Sequence, residues 1–178
     1  MAPRNLKVLA ALLLTGLLLH TATAATISNA GPRVGMMGLS GSAASRAKEL
    51  NMSPLMSAFG WHMETEFTST LGAAKGNSSL VLLLVGADQG KALPSATWLV
   101  GMRTAEGNEI GMGPNISPAG SGFTVTIGRT RRTGDLNIPV NLSGTFSPHS
   151  FRLGLLTGFN TKDTTRPPTS RTITPYQP

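Results

Sequence analysis

Along most of this chain, apolar side chains recur at every second position rather than every third or fourth. From Trp61 to Phe67, Trp61, Met63 and Phe67 alternate with His62, Glu64 and Glu66. From Asn108 to Ile116, Ile110, Met112, Pro114 and Ile116 oppose Glu109, Gly111, Gly113 and Asn115. Phe123, Val125 and Ile127 oppose Thr124, Thr126 and Gly128, while Leu136, Ile138, Val140 and Leu142 oppose Asn137, Pro139 and Asn141. In FRLGLLTGFN, residues 151–160, one face carries Phe151, Leu153, Leu155 and Phe159, and the other Arg152, Gly154, Leu156, Gly158 and Asn160. A period of two marks strands with two unlike faces.

Three more segments, 32–39 (PRVGMMGL), 79–86 (SLVLLLVG) and 96–103 (ATWLVGMR), bring the expected strands to eight. Turn-forming residues at 104–107, around 130–135 and at 147–149 supply short links. Short links require antiparallel neighbours. The pattern therefore predicts an all-β fold, an antiparallel up-and-down barrel of about eight strands, because closure removes exposed sheet edges. Residues 151–160 are expected to close it against 32–39. One short helix is predicted over 53–59, with Ser53 as its cap, Pro54 in its first turn and Gly60 at its end. It would pack inside against Leu80–Val85, which is apolar on both faces.

The chain opens with a charged segment, an apolar run of 12 residues from Val8 to Leu19, and Ala22-x-Ala24. That is the layout of a secretory signal peptide, and the run is shorter than the roughly 20 residues a spanning helix needs. The expected organisation is a signal peptide at 1–24, a barrel domain at 25–160 and a disordered Thr/Pro-rich tail at 161–178. The chain has no Cys, which rules out disulfides, zinc-thiolate sites and a Cys nucleophile. Its net charge of +7 is dispersed except for Arg129-Thr-Arg-Arg132, and aromatics make up 5%. Without a basic stripe interleaved with stacking residues, nucleic acid is not an expected partner, and the cluster reads as a solvated turn.

Alternation leaves open which face meets water. Only 13% of residues are charged, and the faces opposite the apolar ones mix Gly, Thr, Asn and Glu, as the narrow bore of a small barrel requires. Apolar-out, polar-in strands of about 9 to 11 residues are the outer-membrane pattern. The expectation is a small bacterial outer-membrane barrel of structural or surface-interaction role, with both termini in the periplasm and a bore too filled for a general porin. Its expected partners are outer-membrane lipid and the barrel-assembly machinery. Two alternatives stand beside it. One is a soluble exported barrel, periplasmic or secreted, that binds an apolar small ligand along the Leu80–Val85 strand. The other is a barrel-embedded lipid-modifying enzyme. Two Trp, one Tyr and six Phe make thin aromatic girdles for a membrane barrel.

The segments MSPLMSAFGWHMETEF, VLLLVGADQGKALPSATWLVGMRTAEGNEIGMGPNISPAG and LNIPVNL followed by RLGLLTGFN resemble a family of uncharacterised exported bacterial proteins described as outer-membrane β-barrels. The resemblance covers roughly residues 52–160. It implies architecture and location, and carries no catalytic residues with it. Residues 152–159 also resemble the last-strand signal that outer-membrane proteins present for assembly. Arg152, Gly154 and Phe159 fit that pattern, Thr157 stands at an apolar position, and 18 residues follow Asn160.

His62, Glu64 and Glu66 share one strand face at a spacing of about 6.6 to 7 Å. With Glu109 and Arg152 they form the expected lumen polar cluster, neutralised across the barrel by Arg103, Arg129 or Arg152 because a buried unpaired charge is costly. An imidazole and two carboxylates can hold a metal or share a proton, but no second ligand cluster accompanies them. No metal or other cofactor is expected. His149 beside Ser150 lacks a nucleophile elbow, and Gly111-Met-Gly113 lacks a dinucleotide setting. No catalytic residue, and so no enzymatic activity, is assigned.

Overall fold

The structure, a computed structural model, describes residues 27–67, 74–133 and 136–162. The signal-peptide segment and residues 163–178 lie outside the described residues. Eight long strands form one antiparallel sheet: β1 (Asn29–Leu39), β2 (Leu55–Phe67), β3 (Lys75–Val85), β4 (Leu93–Arg103), β5 (Asn108–Ile116), β6 (Gly122–Thr133), β7 (Leu136–Ser147) and β8 (Ser150–Gly158). Each pairs with the next, and β1 pairs with both β2 and β8, which closes the barrel. The closing pair sets Arg33 opposite Gly158 and Leu39 opposite Arg152, as the alternation predicts. A short β9 (Asn160–Lys162) continues β8 in the same register, with Asn29 opposite Lys162. Pairing thus reaches two residues into the segment expected to be disordered.

Carrying the registers once round the barrel gives a stagger of ten residues. With eight strands, that stagger sets a strand tilt of about 40° and a radius of about 8 Å. Each residue then climbs roughly 2.5 Å along the axis. Small residues admit this narrow bore: a Cβ added to Gly35 or Gly60 would run into the backbone carbonyl of Leu155 or Leu82 on the neighbouring strand.

The helix lies elsewhere than predicted. Residues 53–59 open β2, and the helix is α1 (Ser42–Glu49), in the long β1–β2 connection. Ser53 and Pro54 carry a helix-cap signature, but Ser53 Oγ instead accepts the Leu55 N–H (3.2 Å) and Pro54 O accepts the Leu39 N–H (2.8 Å). Both bonds start a strand. Met56 and Ala58 point inward while Leu55 and Phe59 are exposed, so the two-residue period extends through the segment and pairing with β1 overrides the local cap signal. The Ala-rich SAASRAKE, a sequence of good helix formers, lies over the barrel end with Ala43 and Ala47 buried.

The barrel is apolar outside and largely polar inside. Val100, Ile127 (54% exposed), Leu142, Leu155 and Trp98 face outward, whereas Glu64 (2%), Arg33 (3%), Arg152 (3%) and Asn160 (1%) are buried in the lumen. Phe123 and Ile127 are exposed, with Val125 on the same outward face. Phe151, Leu153, Leu155 and Phe159 take the outward positions of the closing strand, and Arg152, Gly154 and Leu156 are buried inward.

Candidate functional site: a layered lumen

The lumen divides into levels. At the end bearing the described termini, Arg103 of β4 is the hub. Its guanidinium grips Glu64 of β2 through two bonds, Nη1–Oε1 (2.6 Å) and Nη2–Oε2 (2.8 Å). It also donates to Glu66 Oε1 (3.1 Å) and to Glu109 Oε1 of β5 (2.8 Å). Neutral groups and one further cation fill the remaining acceptor sites. Asn29 and Asn77 donate to Glu64, Asn141 (3.2 Å) and the Thr130 hydroxyl donate to Glu109, and Lys75 reaches Glu66 at 3.2 Å. Charge-assisted bonds of this kind offset the desolvation of the buried Glu64 and the half-buried Glu66 and Glu109, but only while every partner is in place.

At mid-height the wall carries His62 and Arg33. Arg33 Nη1 donates to Asn160 Oδ1 at 2.8 Å. His62 Nε2 lies 3.9 Å from Glu64 Oε2, beyond hydrogen-bond reach. A central cavity of about 80 Å³ adjoins them, lined among others by Thr97, Asn115, Thr126 and Leu156. His62 Nδ1, Asn115 Oδ1 and Arg152 Nε, all from cavity-lining residues, have no hydrogen-bond partner among the described residues. The cavity has room for several waters, and buried polar atoms of this kind require them.

The opposite end is closed. On the β1–β4 side, Met56, Ala58, Val81, Leu83, Val85 and Leu99 form an apolar core, joined by Ala47 and Met52 from the β1–β2 connection. This explains the two-sided run Leu80–Val85: Leu80, Leu82 and Leu84 face outward, and Val81, Leu83 and Val85 pack inside. On the far side the lumen stays polar, with Asn115 bonded to Ser95 and Thr97, and Thr124 to Thr145. Arg152 ties this end to the β5–β6 turn, through Ser117 Oγ (2.6 Å) and Gly120 O (3.3 Å). Asp88, on the β3–β4 turn, accepts the Ser57 hydroxyl (2.6 Å) and N–H (2.9 Å), bonds that hold its carboxyl below the ordinary range.

Of the expected cluster, the structure brings His62, Glu64, Glu66 and Glu109 together and separates Arg152, which serves the other end. Of the expected counter-ions, Arg103 takes the role. Arg129 does not: one residue from the inward Thr130, it occupies an outward position on β6. Arg33 was missed. The signal was present, since Arg33, Gly35 and Met37 alternate with Val34 and Met36, but a segment read for its glycines and methionines hides its one charge. Among the described residues no group of three His, Cys, Asp or Glu is placed to hold a metal. Glu64 spends its carboxylate on Arg103, Asn29 and Asn77, which gives it a structural part in the network.

The outer wall has its own polar bookkeeping. Trp98 Nε1 donates to Ser78 Oγ (2.9 Å), and the outward Thr157 hydroxyl donates to Pro139 O (3.0 Å). These outward-facing polar groups are satisfied within the wall. Comparison with known proteins finds no matching family model and no matching curated protein. Among solved structures, the chain is similar to Ail, the attachment invasion locus protein of Yersinia pestis, solved in complex with the heparin analogue sucrose octasulfate. The identity is 8%, the match covers 76% of this chain and 99% of that chain, and the TM-score is 0.29.

Proposed function

We propose that this chain is a small outer-membrane barrel, held by lipid around its wall and serving a structural or surface-interaction role rather than conduction. The observation that carries the reading is the outer wall. Levels derived from the strand registers place mostly apolar outward side chains from Met102 and Phe159 up to Phe146 and Phe151, interrupted by Thr157 and, at the lower edge, by Ser78 and Arg129. That band is about 20–25 Å tall, close to the apolar belt of roughly 25 Å on outer-membrane barrels. Phe59, Phe123, Phe146 and Phe151 gather toward its upper edge, a one-sided aromatic girdle. Water would charge heavily for such a wall, since monomeric soluble proteins rarely expose apolar patches beyond a few hundred Å².

The rest of the proposal follows from the two ends. The apolar core and α1 close one end of the bore, which disfavours a channel. The connection carrying α1 is the longest described link, whereas the turn at 104–107 at the other end is short, in line with the outer-membrane rule of long external loops and short periplasmic turns. Both termini then lie in the periplasm after removal of residues 1–24, and α1 with the Asp88 turn faces outward. The closing strand, with Arg152, Gly154 and Phe159, is the segment offered to the assembly machinery.

Fractionation tests the proposal. The protein should stay with the membrane pellet through an alkaline carbonate wash and leave it only with detergent. Release into a soluble periplasmic extract without detergent would overturn it and favour the ligand-binding soluble barrel.

A further inference from the structure

One group of cations stands apart from the paired charges of the lumen. Arg129 and Arg131 take outward positions near the end of β6, opposite Val140 and Ile138 of β7. Arg132 follows on the inner side, and all three arginines border the rim of a mouth of about 560 Å³, with Lys75, Arg103 and Asn160 deeper in its wall. Arg129, Arg131 and Arg132 are exposed, and none joins an ion pair among the described residues. Glu106, on the β4–β5 turn, is within electrostatic reach of Arg129, which leaves the group with a net positive charge. Arg46, Lys48 and Lys91, by contrast, sit on connections at the other end, off the wall.

Height decides what these arginines meet. The registers place Arg129 and Arg131 level with Thr65, Ser78 and Asn108, where polar residues join Met102 and Ile138 on the outward face, and directly below Ile127, Val140 and Leu142. An arginine on the lipid face costs about 2–4 kcal/mol at mid-membrane but only about 0–1 kcal/mol near the interface. At that level the ligand chemistry that suits two guanidinium forks is phosphate, which they bind through paired N–H donors. The apolar wall above suits acyl chains attached to it.

We propose that Arg129 and Arg131 form a binding site for the phosphate headgroup of an anionic glycerophospholipid in the leaflet at the termini-bearing end, with Ile127, Ile138 and Val140 against its chains. The site rests on the membrane reading above. It fixes the barrel's depth and favours leaflets rich in such lipid.

The test uses the full mature chain inserted into bilayers of mixed phosphatidylcholine and phosphatidylglycerol, then released and weighed by native mass spectrometry to count retained lipids. Insertion is checked first, by a shift in gel mobility between unboiled and boiled samples. The expected result is a preference for phosphatidylglycerol of roughly tenfold. The R129Q/R131Q variant should lose it while inserting normally, and the R46Q/K48Q variant should keep it. Inserted wild type that retains both lipids equally, or an R129Q/R131Q variant that keeps the preference, would overturn the site alone. Failure of the wild type to insert would remove the membrane reading and the site with it.

Discussion

The two ends of the lumen are built from the same alternating strands yet hold together by opposite means. At the termini-bearing end, Arg103 binds Glu64, Glu66 and Glu109 from three directions. At the other, Met56, Leu83, Val85 and their neighbours pack without charge. The contrast shows what an inward position of a narrow barrel demands. With lipid or any apolar surround outside, the wall contributes little that distinguishes in from out, so the filling must satisfy itself, either by a complete charge network or by close packing. A network is the more brittle of the two, because removing one member strands the others.

Breaking the network should therefore have the largest effect. Arg103→Met leaves Glu64 and Glu109 without their main partner in a buried site, and should cost about 3–5 kcal/mol in denaturant unfolding from lipid vesicles. Adding Glu64→Gln and Glu109→Gln to the same chain should recover much of that loss. A triple variant no better than Arg103→Met would show that Arg103 matters for its packing instead. At the apolar end, Leu83→Ala removes a side chain that is 6% exposed and should cost about 2–4 kcal/mol, the range of a core truncation. It should not alter the pH dependence of unfolding, whereas Arg103→Met should.

These differences also mark how much the sequence disclosed. Strand number, the closing pair and the direction of every tested outward residue were legible, because a period of two is a local property and each segment repeats it. The grouping of His62, Glu64 and Glu66 was legible for the same reason. Parity also puts Glu109 in the expected cluster, but its height beside Glu64, 45 residues away, depends on Arg103 reaching between strands, which no local pattern gives. Arg152 shares the inward parity of the cluster but stands at the other end. Parity fixes the face of a strand, while height along the axis follows from the ten-residue stagger, which appears only once every register is known. Helix placement failed where a strong local signal, Ser53-Pro54, met a longer pairing that outweighed it.

The central claim is that the wall around Leu142 and Val125 faces lipid, and Leu142→Arg tests it most directly. In chain folded into phospholipid vesicles, the account predicts a loss of about 2–4 kcal/mol relative to wild type, falling below about 1 kcal/mol for Leu136→Arg at the membrane edge. A chain that folds in detergent-free buffer and accepts Leu142→Arg within about 0.5 kcal/mol would contradict it.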